Sequence, residues 1–238
     1  MVTFVVAHGA WGAGYTWRKM HPLLAAAGHR LVTPTYTGLG ERVHLASRAV
    51  DLDLHIRDVE AVLFHEDLRN VHLVGHSYGG MVATGVADRA RERISALIYL
   101  DAFVPRDGLS LFDLIGPEAR AAKQAETDRE GEGWRMPPNP SPADTPAADL
   151  AFLTPRRHPQ PIGTFSQPLR LQHGETTLPR AYIYCSRATP GDVFGQFARM
   201  ARSDPRWRYE EIDATHNPHV TAPDELARLL CKLAGGTS

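Results

Sequence analysis

Short apolar runs that suit buried strands alternate along this chain with amphipathic runs that suit helices. Several of the strand-like runs are apolar at every position rather than at every second one. Continuous apolar runs are typical of parallel strands that helices cover on both faces. The predicted strands span residues 3–8, 30–34, 71–74, 96–103, 180–186 and 207–212. The sequence therefore predicts an α/β fold with a mostly parallel sheet between two layers of helices.

Predicted helices connect these strands. They span residues 17–29, 50–66 and 223–234, and a further helix begins near Tyr78. Gly28 is predicted to close the first of them, because glycine commonly ends a helix.

The segment from Pro105 to Pro179 breaks the alternation. Its middle part, residues 131–149, is rich in proline and has no periodicity. An insertion of this length between two core strands is typical of a cap or lid. The predicted organisation is a core formed by residues 1–104 and 180–238, with a cap at 105–179.

A disordered linker is the alternative interpretation of this segment. Disordered segments are poor in aromatic residues, whereas this one contains Trp134, Phe152 and Phe165. The aromatic residues favour a folded cap.

Residues 75–79 read Gly-His-Ser-Tyr-Gly and fit the pattern G-x-S-x-G. A predicted strand precedes them directly and a predicted helix follows. In that context the glycines allow a tight, strained turn that lifts the serine hydroxyl clear of the sheet. A glycine-rich turn whose serine only caps the helix is the structural alternative. We predict that Ser77 is a nucleophile.

A serine hydroxyl is a weak nucleophile at neutral pH and needs a general base. The expected chain order is serine, acid, histidine, so the base should lie in a loop after the last strand. That loop contains His216 and His219. His216 is the predicted base because it follows the strand by only a few residues, and His219 is the alternative. His8 and His76 adjoin the predicted site and are expected to shape its loops.

Two aspartates compete for the role of the acid. Asp192 is the first carboxylate after the fifth strand, but the positions directly after that strand are Arg187, Ala188 and Thr189. Asp192 also suits the cap of the next helix.

Asp101 ends the fourth strand, and the carboxyl ends of neighbouring parallel strands meet in one crevice. An aspartate at the end of an apolar strand is costly unless it has a partner. We therefore predict Asp101 as the acid, with Asp192 as the alternative.

The glycine-containing loop after the first strand, residues 8–17, is expected to complete the site. An oxyanion hole needs two backbone donors. Tyr78 N–H, directly after the nucleophile, is one, and by position Ala10 N–H is the other. Trp11 in this loop and Trp134 in the cap are predicted to bind substrate, since lids over such sites form apolar pockets.

Composition excludes several classes of partner. The formal net charge is −1, so neither nucleic acid nor an anionic membrane is an expected partner.

The N-terminal apolar run is too short to span a bilayer and lacks a basic region before it. Both cysteines read as core residues. No histidine and carboxylate cluster has metal-ligand spacing. We predict a soluble, cytoplasmic monomer or homodimer that uses no cofactor and no metal.

Three segments, residues 4–40, 71–89 and 97–105, together with the late histidine loop, resemble the α/β-hydrolase superfamily. Within it the chain is similar to the plant methylesterase and hydroxynitrile lyase group and to bacterial esterases. The resemblance implies an α/β-hydrolase fold with Ser77 and His216 as nucleophile and base. It also implies Ala10 and Tyr78 as the oxyanion donors.

The chain departs from that group at several positions. The group carries its acid after the penultimate strand, whereas some haloalkane dehalogenases place it where Asp101 stands. The lyases have a glutamate before the serine and a lysine after the histidine, where this chain has His76 and Asn217. Without the lysine no cation would receive cyanide, which favours hydrolysis.

The chain is also loosely similar to bacterial hydrolases that cleave carbamate esters on aromatic heterocycles. The sequence thus predicts a serine hydrolase that cleaves a small carboxylic or carbamic ester through an acyl-enzyme. A cyanohydrin lyase and a non-catalytic ligand receptor are the alternatives.

Overall fold

The structure is a computed structural model, and it describes residues 1–187 and 191–235 of the chain. Ala188 and Thr189, two of the positions considered above in the search for the acid, lie outside the described residues. Within the described ranges the strands are β1 (Thr3–Ala7), β2 (Arg30–Val32), β3 (Val71–His76), β4 (Ile94–Leu100), β5 (Arg135–Met136), β6 (Gln160–Pro161), β7 (Arg180–Cys185) and β8 (Trp207–Ile212).

Helices follow most of these strands. Within the same ranges the α-helices are α1 (Met20–Ala26), α2 (Leu52–His65), α3 (Gly79–Arg89), α4 (Leu111–Ile115), α5 (Pro117–Glu130), α6 (Ala147–Leu153), α7 (Gly163–Ser166), α8 (Gly195–Ser203), α9 (Pro218–Thr221) and α10 (Pro223–Gly235). Short 3-10 turns span Gly14–Trp17, Gly40–Leu45, Arg91–Arg93 and Thr154–Arg156.

Six parallel strands form the main sheet in the order β2-β1-β3-β4-β7-β8. Apolar side chains of α2, α3 and α8 pack on one face of the sheet, and those of α1 and α10 pack on the other. Alternate residues of one strand serve the two faces: Val5 faces the first layer, whereas Phe4 and Val6 face the second. The predicted α/β class, with helices on both faces of a parallel sheet, is confirmed.

The order of the strands locates the crevice of the fold. β2 lies on one side of β1, whereas β3 and the strands after it lie on the other side. The direction in which successive strands join the sheet therefore reverses at β1. Beyond the carboxyl ends of strands, such a reversal leaves a crevice in which ligands bind. The loops that follow β1 and β3 therefore meet at this crevice.

Local chemistry shifts some element boundaries from their predicted positions. α1 begins at Met20 rather than at residue 17, because the chain first makes a 3-10 turn over Gly14–Trp17. Pro22 lies in the first turn of α1, where its missing N–H has no helical partner to lose. Gly28 has a φ of +78° directly after the helix, which agrees with its predicted role.

The segment between β4 and β7 carries α4 to α7 and an antiparallel ribbon formed by β5 and β6. Asp149 of α6 anchors it to the core through Lys19 Nζ at 2.6 Å and Arg18 Nη2 at 3.3 Å. Phe152 packs edge-on against Tyr15, with ring centroids 6.0 Å apart. We call residues 105–179 the cap, and the exact division between cap and core stays a prediction. No helix in the described part of the chain is long and apolar enough to cross a bilayer.

Candidate active site

Ser77 lies in the turn between β3 and α3 with a φ of 56°. A positive φ costs a residue with a Cβ roughly 1–2 kcal/mol. The turn is held by hydrogen bonds: Ser77 N–H donates to the Leu100 carbonyl at 3.3 Å, and the Ser77 carbonyl accepts from the N–H of Gly80 at 3.0 Å and of Phe103 at 3.2 Å. The surrounding backbone thus maintains the strained conformation that the G-x-S-x-G pattern predicts.

The glycines of the pattern allow this close approach. A Cβ at Gly79 would lie 1.9 Å from the carbonyl oxygen of Ala7 at the end of β1. A Cβ at Gly75 would lie 2.8 Å from the carbonyl oxygen of Gly79. Helix α3 can therefore start directly against the sheet only because both positions lack a side chain.

His216, in the loop between β8 and α9, connects Ser77 to Asp101. Its Nε2 lies 2.9 Å from Ser77 Oγ, and its Nδ1 lies 2.7 Å from Asp101 Oδ2. An ionised carboxylate only accepts, so Nδ1 carries the proton and Nε2 is free to accept the serine proton. The structure thus brings together the three residues predicted as nucleophile, base and acid.

Asp101 directly follows β4 and also has a positive φ, 41°. Its N–H donates to the Ile183 carbonyl at 2.8 Å, and its Oδ1 accepts the N–H of Cys185 at 3.3 Å. Burial raises the pKa of the Asp101 carboxyl, while the hydrogen bond and charge of His216 oppose that rise. The carboxylate is therefore held in place from two sides and faces the imidazole.

Asp192 has other partners. Its oxygens accept the Tyr184 hydroxyl at 2.8 Å, the Phe194 N–H at 2.8 Å and the Gly195 N–H at 3.0 Å. These contacts satisfy backbone donors at the start of α8, which is the capping role considered from the sequence. Asp192 lines the same cavity as His216, but its hydrogen bonds among the described residues hold this helix start.

His219, the alternative base, makes no hydrogen bond to Ser77 within the described residues, although it lines the same cavity. Its ring stacks parallel on Trp17 at a centroid distance of 4.6 Å, and its Nδ1 has no hydrogen-bond partner within the described residues. Burial lowers the pKa of His219 to about 3. The structure therefore offers His216, and not His219, as a base for the serine.

The two predicted oxyanion donors line the same cavity as Ser77. Among residues 1–187 and 191–235, neither the Ala10 N–H nor the Tyr78 N–H donates to a protein acceptor. The next amide along the loop, Trp11 N–H, is occupied by Gln160 Oε1 at 2.8 Å. The amides of Ala10 and Tyr78 therefore remain available to a ligand, and their role as oxyanion donors stays a prediction.

A cavity of about 600 Å³ lies over the serine, between the core loops and the cap. Its walls are mainly apolar, and both Trp11, which the sequence predicts to bind substrate, and Phe165 belong to them. Further apolar and polar side chains that line it are Phe103, Leu111, Ile115, Lys123, Leu153, Arg157, Val193 and Phe194. In the described part of the chain, no group of three or more His, Cys, Asp or Glu is placed to hold a metal ion.

Contrary to the prediction, Trp134 is not on this cavity. The guanidinium carbons of Arg48 and Arg135 lie 5.8 and 4.6 Å from the centroid of its ring. Its carbonyl accepts the Ile162 N–H at 2.8 Å. The indole therefore stabilises the ribbon of the cap, and an aromatic residue in an irregular segment carries no sequence signal of the side to which it turns.

Two contacts to His216 were not predicted as such. Phe194 stacks on the imidazole with a centroid distance of 4.8 Å and an interplanar angle of 10°. His76 Nε2 donates to the His216 carbonyl at 2.8 Å, which specifies the loop-shaping role expected of His76. Phe194 lies between Asp192 and the first residue of α8, and only the folded chain shows that it touches the base.

Buried neutral histidines surround the site and predict a pH-dependent stability. Burial lowers the pKa of His8, His55 and His219 to about 3, from an ordinary value of 6.5. Between these values the unfolded chain binds protons that the folded chain excludes, so acid favours unfolding. We expect each group to lower the free energy of unfolding by up to about 1.4 kcal/mol per pH unit as pH falls below about 6.5.

Urea denaturation between pH 7 and 4.5 would measure this slope. His55→Gln keeps hydrogen-bonding groups near Tyr78 Oη, which His55 Nδ1 contacts at 2.9 Å, and removes the titrating ring. Its slope should be smaller than that of the parent chain by about 1.4 kcal/mol per pH unit. Equal slopes would show that His55 titrates alike in the folded and unfolded states.

The fold agrees with the comparisons to known proteins. The sequence profile of the alpha/beta hydrolase family matches residues 4–229. The chain is 40% identical to the carbendazim hydrolyzing esterase of Nocardioides sp. (strain SG-4G), over 98% of this chain and all of that protein. It is 26% identical to a pFDCC methylesterase of Arabidopsis thaliana, over 98% of this chain and 94% of that protein.

Among solved structures, an extracellular alpha/beta-hydrolase from a Paenibacillus species superposes with a TM-score of 0.84 at 25% identity, covering 98% of both chains. This chain belongs to the alpha/beta hydrolase family. It is a hydrolase of the esterase type.

Proposed function

We propose that Ser77, His216 and Asp101 form the catalytic triad of a serine esterase that acts on a small carboxylic or carbamic ester. The observation that carries the proposal is the continuous hydrogen-bonded path from Ser77 Oγ through His216 to Asp101, with distances of 2.9 and 2.7 Å. Two free backbone N–H groups lie on the same cavity as the serine. This set of groups has the roles that acyl transfer requires.

In the acylation step, Ser77 Oγ attacks the carbonyl carbon of the ester while His216 Nε2 takes the hydroxyl proton. The N–H groups of Ala10 and Tyr78 donate to the carbonyl oxygen as it becomes negative. Asp101 stabilises the imidazolium that forms. His216 then gives its proton to the leaving alcohol oxygen, and the acyl group remains on Ser77.

Deacylation repeats these roles with water as the nucleophile. His216 takes a proton from the water, the oxyanion forms again between Ala10 and Tyr78, and Ser77 Oγ leaves with the proton of His216. The acid product is released and the resting state is restored. With a carbamic ester, the acyl group carried by Ser77 is a carbamoyl group.

The walls of the cavity indicate the substrate class. Trp11, Phe165, Phe103 and Phe194 present aromatic surface to a space of about 600 Å³, a volume typical of sites for small organic molecules. Flat aromatic groups pack well against such rings. Together with the similarity to an esterase named for carbendazim, this favours an ester or carbamate that carries an aromatic or heteroaromatic group.

The proposal is tested by pre-steady-state hydrolysis of p-nitrophenyl acetate. We expect a burst of one p-nitrophenol per chain followed by slower turnover, the kinetic sign of an acyl-enzyme. Product release from carbendazim and from phenyl acetate tests whether the substrate is a carbamate or an ester that carries an aromatic group. Aromatic ligands that bind without any ester turnover would instead indicate a receptor on a hydrolase scaffold, and cyanide release from mandelonitrile would indicate a lyase.

The cap is expected to set the preference for aromatic substrates through Phe165. This ring lines the cavity and stacks on Tyr78 with centroids 5.6 Å apart. Phe165→Ala should lower kcat/KM about tenfold or more for phenyl acetate and less for the alkyl ester ethyl acetate, since a buried aromatic contact contributes about 1.5–3 kcal/mol.

Phe152→Ala is the matched control. Phe152 packs outside the cavity on Arg18, whose Cζ lies 3.6 Å from the ring centroid. It should lower thermal stability without changing the ratio of kcat/KM between the two esters. If Phe165→Ala lowered both substrates equally, in step with Tm, Phe165 would only attach the cap to the core.

A further inference from the structure

A residue of the cap forms a hydrogen bond with the loop that carries the predicted oxyanion donor Ala10. Trp11 N–H, the amide next to that of Ala10, donates to Gln160 Oε1 at 2.8 Å. Gln160 lies in β6 and is fully buried, with 0% of its surface exposed. A segment 149 residues away in sequence therefore supplies the acceptor for a buried amide of the active-site loop.

The orientation of the Gln160 amide is fixed from its other end. Gln160 Nε2 donates to Thr164 Oγ1 at 2.8 Å, and the Thr164 hydroxyl donates to the Pro161 carbonyl at 2.7 Å. Because that hydroxyl uses its proton on the carbonyl, it can only accept from Gln160. The carboxamide oxygen therefore faces Trp11.

Trp11 has a second attachment to the same ribbon. Its indole Nε1 donates to the Met136 carbonyl in β5 at 3.0 Å, and Met136 pairs with Gln160 across the ribbon. Trp11 also has a φ of 56°. A strained backbone conformation persists only where surrounding contacts hold it, and here both contacts come from the cap.

We propose that Gln160 is a positioning residue for the oxyanion hole: its side chain fixes the peptide between Ala10 and Trp11, and thereby keeps the Ala10 N–H directed into the cavity. The inference rests on the proposed esterase function. Without an acceptor, the buried Trp11 N–H would be left unsatisfied at a cost of about 1–3 kcal/mol. The loop can avoid that cost by relaxing the strained φ of Trp11, which moves Ala10 and so turns the Gly9–Ala10 peptide, whose N–H is that of Ala10, away from the reacting carbonyl.

Gln160→Met tests the proposal, because methionine fills a similar volume and offers no strong acceptor. We expect kcat to fall about 10- to 100-fold with KM changed less than threefold, since an oxyanion donor acts mainly in the transition state. The inhibition constant of an aryl trifluoromethyl ketone, which forms an oxyanion adduct on the serine, should rise by a similar factor. Gln160→Glu, protonated in this buried site, keeps an acceptor and a donor and should restore most of the activity.

Phe152→Ala is again the control, because it loosens the cap without touching Trp11 or Gln160. The proposal would be overturned if kcat of Gln160→Met stayed at the parent value. It would also be overturned if kcat fell no further, for the same loss of Tm, than it does in Phe152→Ala. Failure of the esterase function is seen separately, as a parent chain that neither turns over esters nor becomes labelled at Ser77 by a fluorophosphonate. A Gln160→Met chain that is still fully labelled after long incubation but turns over slowly supports the positioning role.

Discussion

Ser77→Ala is expected to lower kcat/KM for p-nitrophenyl acetate by at least about 10³-fold while the chain stays folded. Only oxyanion stabilisation and substrate binding remain when one member of a triad is removed. Alanine is smaller than serine, and the strained turn keeps its backbone hydrogen bonds to Leu100, Gly80 and Phe103. Steady-state kinetics and a thermal melt on the same preparation measure both parts of the prediction.

Ser186→Ala is a suitable control for this experiment. Ser186 follows β7, and its hydroxyl donates to the Ile212 carbonyl at 3.1 Å, outside the lining of the cavity. Its activity should stay within about threefold of the parent, because surface hydrogen bonds of this kind contribute only about 1 kcal/mol to folding. Activity of Ser77→Ala within tenfold of the parent would show that another group is the nucleophile.

Asp101→Asn is expected to cost up to about 10⁴-fold in kcat, far more than Asp192→Asn. The Asp101 carboxylate accepts the Nδ1 proton of His216 at 2.7 Å and so leaves Nε2 ready to take the serine proton. An amide can present its NH₂ group to Nδ1 instead, which selects the wrong tautomer and removes the charge that stabilises the imidazolium.

Asp192→Asn is the matched control, since it makes the same chemical change on the same cavity. Asp192 accepts the N–H groups of Phe194 and Gly195, so we expect a loss of about 1 kcal/mol of stability or less. Its kcat should stay within about threefold of the parent. An inactive Asp192→Asn beside an active Asp101→Asn would assign the acid to the loop after β7 and leave Asp101 a structural role.

The preference for Asp101 could be formed from sequence because of a general rule of parallel sheets. The carboxyl ends of adjacent strands share a crevice, and an aspartate that ends an apolar run needs a partner. The structure makes β3 and β4 neighbours, so Ser77 and Asp101 follow adjacent strand ends. The partners of Asp192 could not be predicted from the sequence, because its contacts with Tyr184 and with the start of α8 depend on how the loop folds back.

The sequence did not indicate which aromatic residues of the cap line the cavity. Trp134, Phe152 and Phe165 predict a folded segment equally well, yet only Phe165 lines the cavity. Trp134 contacts the guanidinium groups of Arg48 and Arg135, and Phe152 packs on Arg18 of the core. In a segment with neither the period of a strand nor that of a helix, no pattern indicates which face an aromatic residue takes.

The sequence by itself determined the parallel sheet and the serine turn, and it predicted the order of the candidate triad residues and the candidate oxyanion donors. These follow from short-range rules, since apolar runs, glycines in a tight turn and strand ends act within a few residues. Only the tertiary structure decided that Asp101 contacts His216, that Phe194 stacks on the imidazole and that Gln160 holds Trp11. Each of those contacts joins segments far apart in the chain, and its distance is fixed by how the loops and the cap pack over the sheet, which local sequence patterns do not encode.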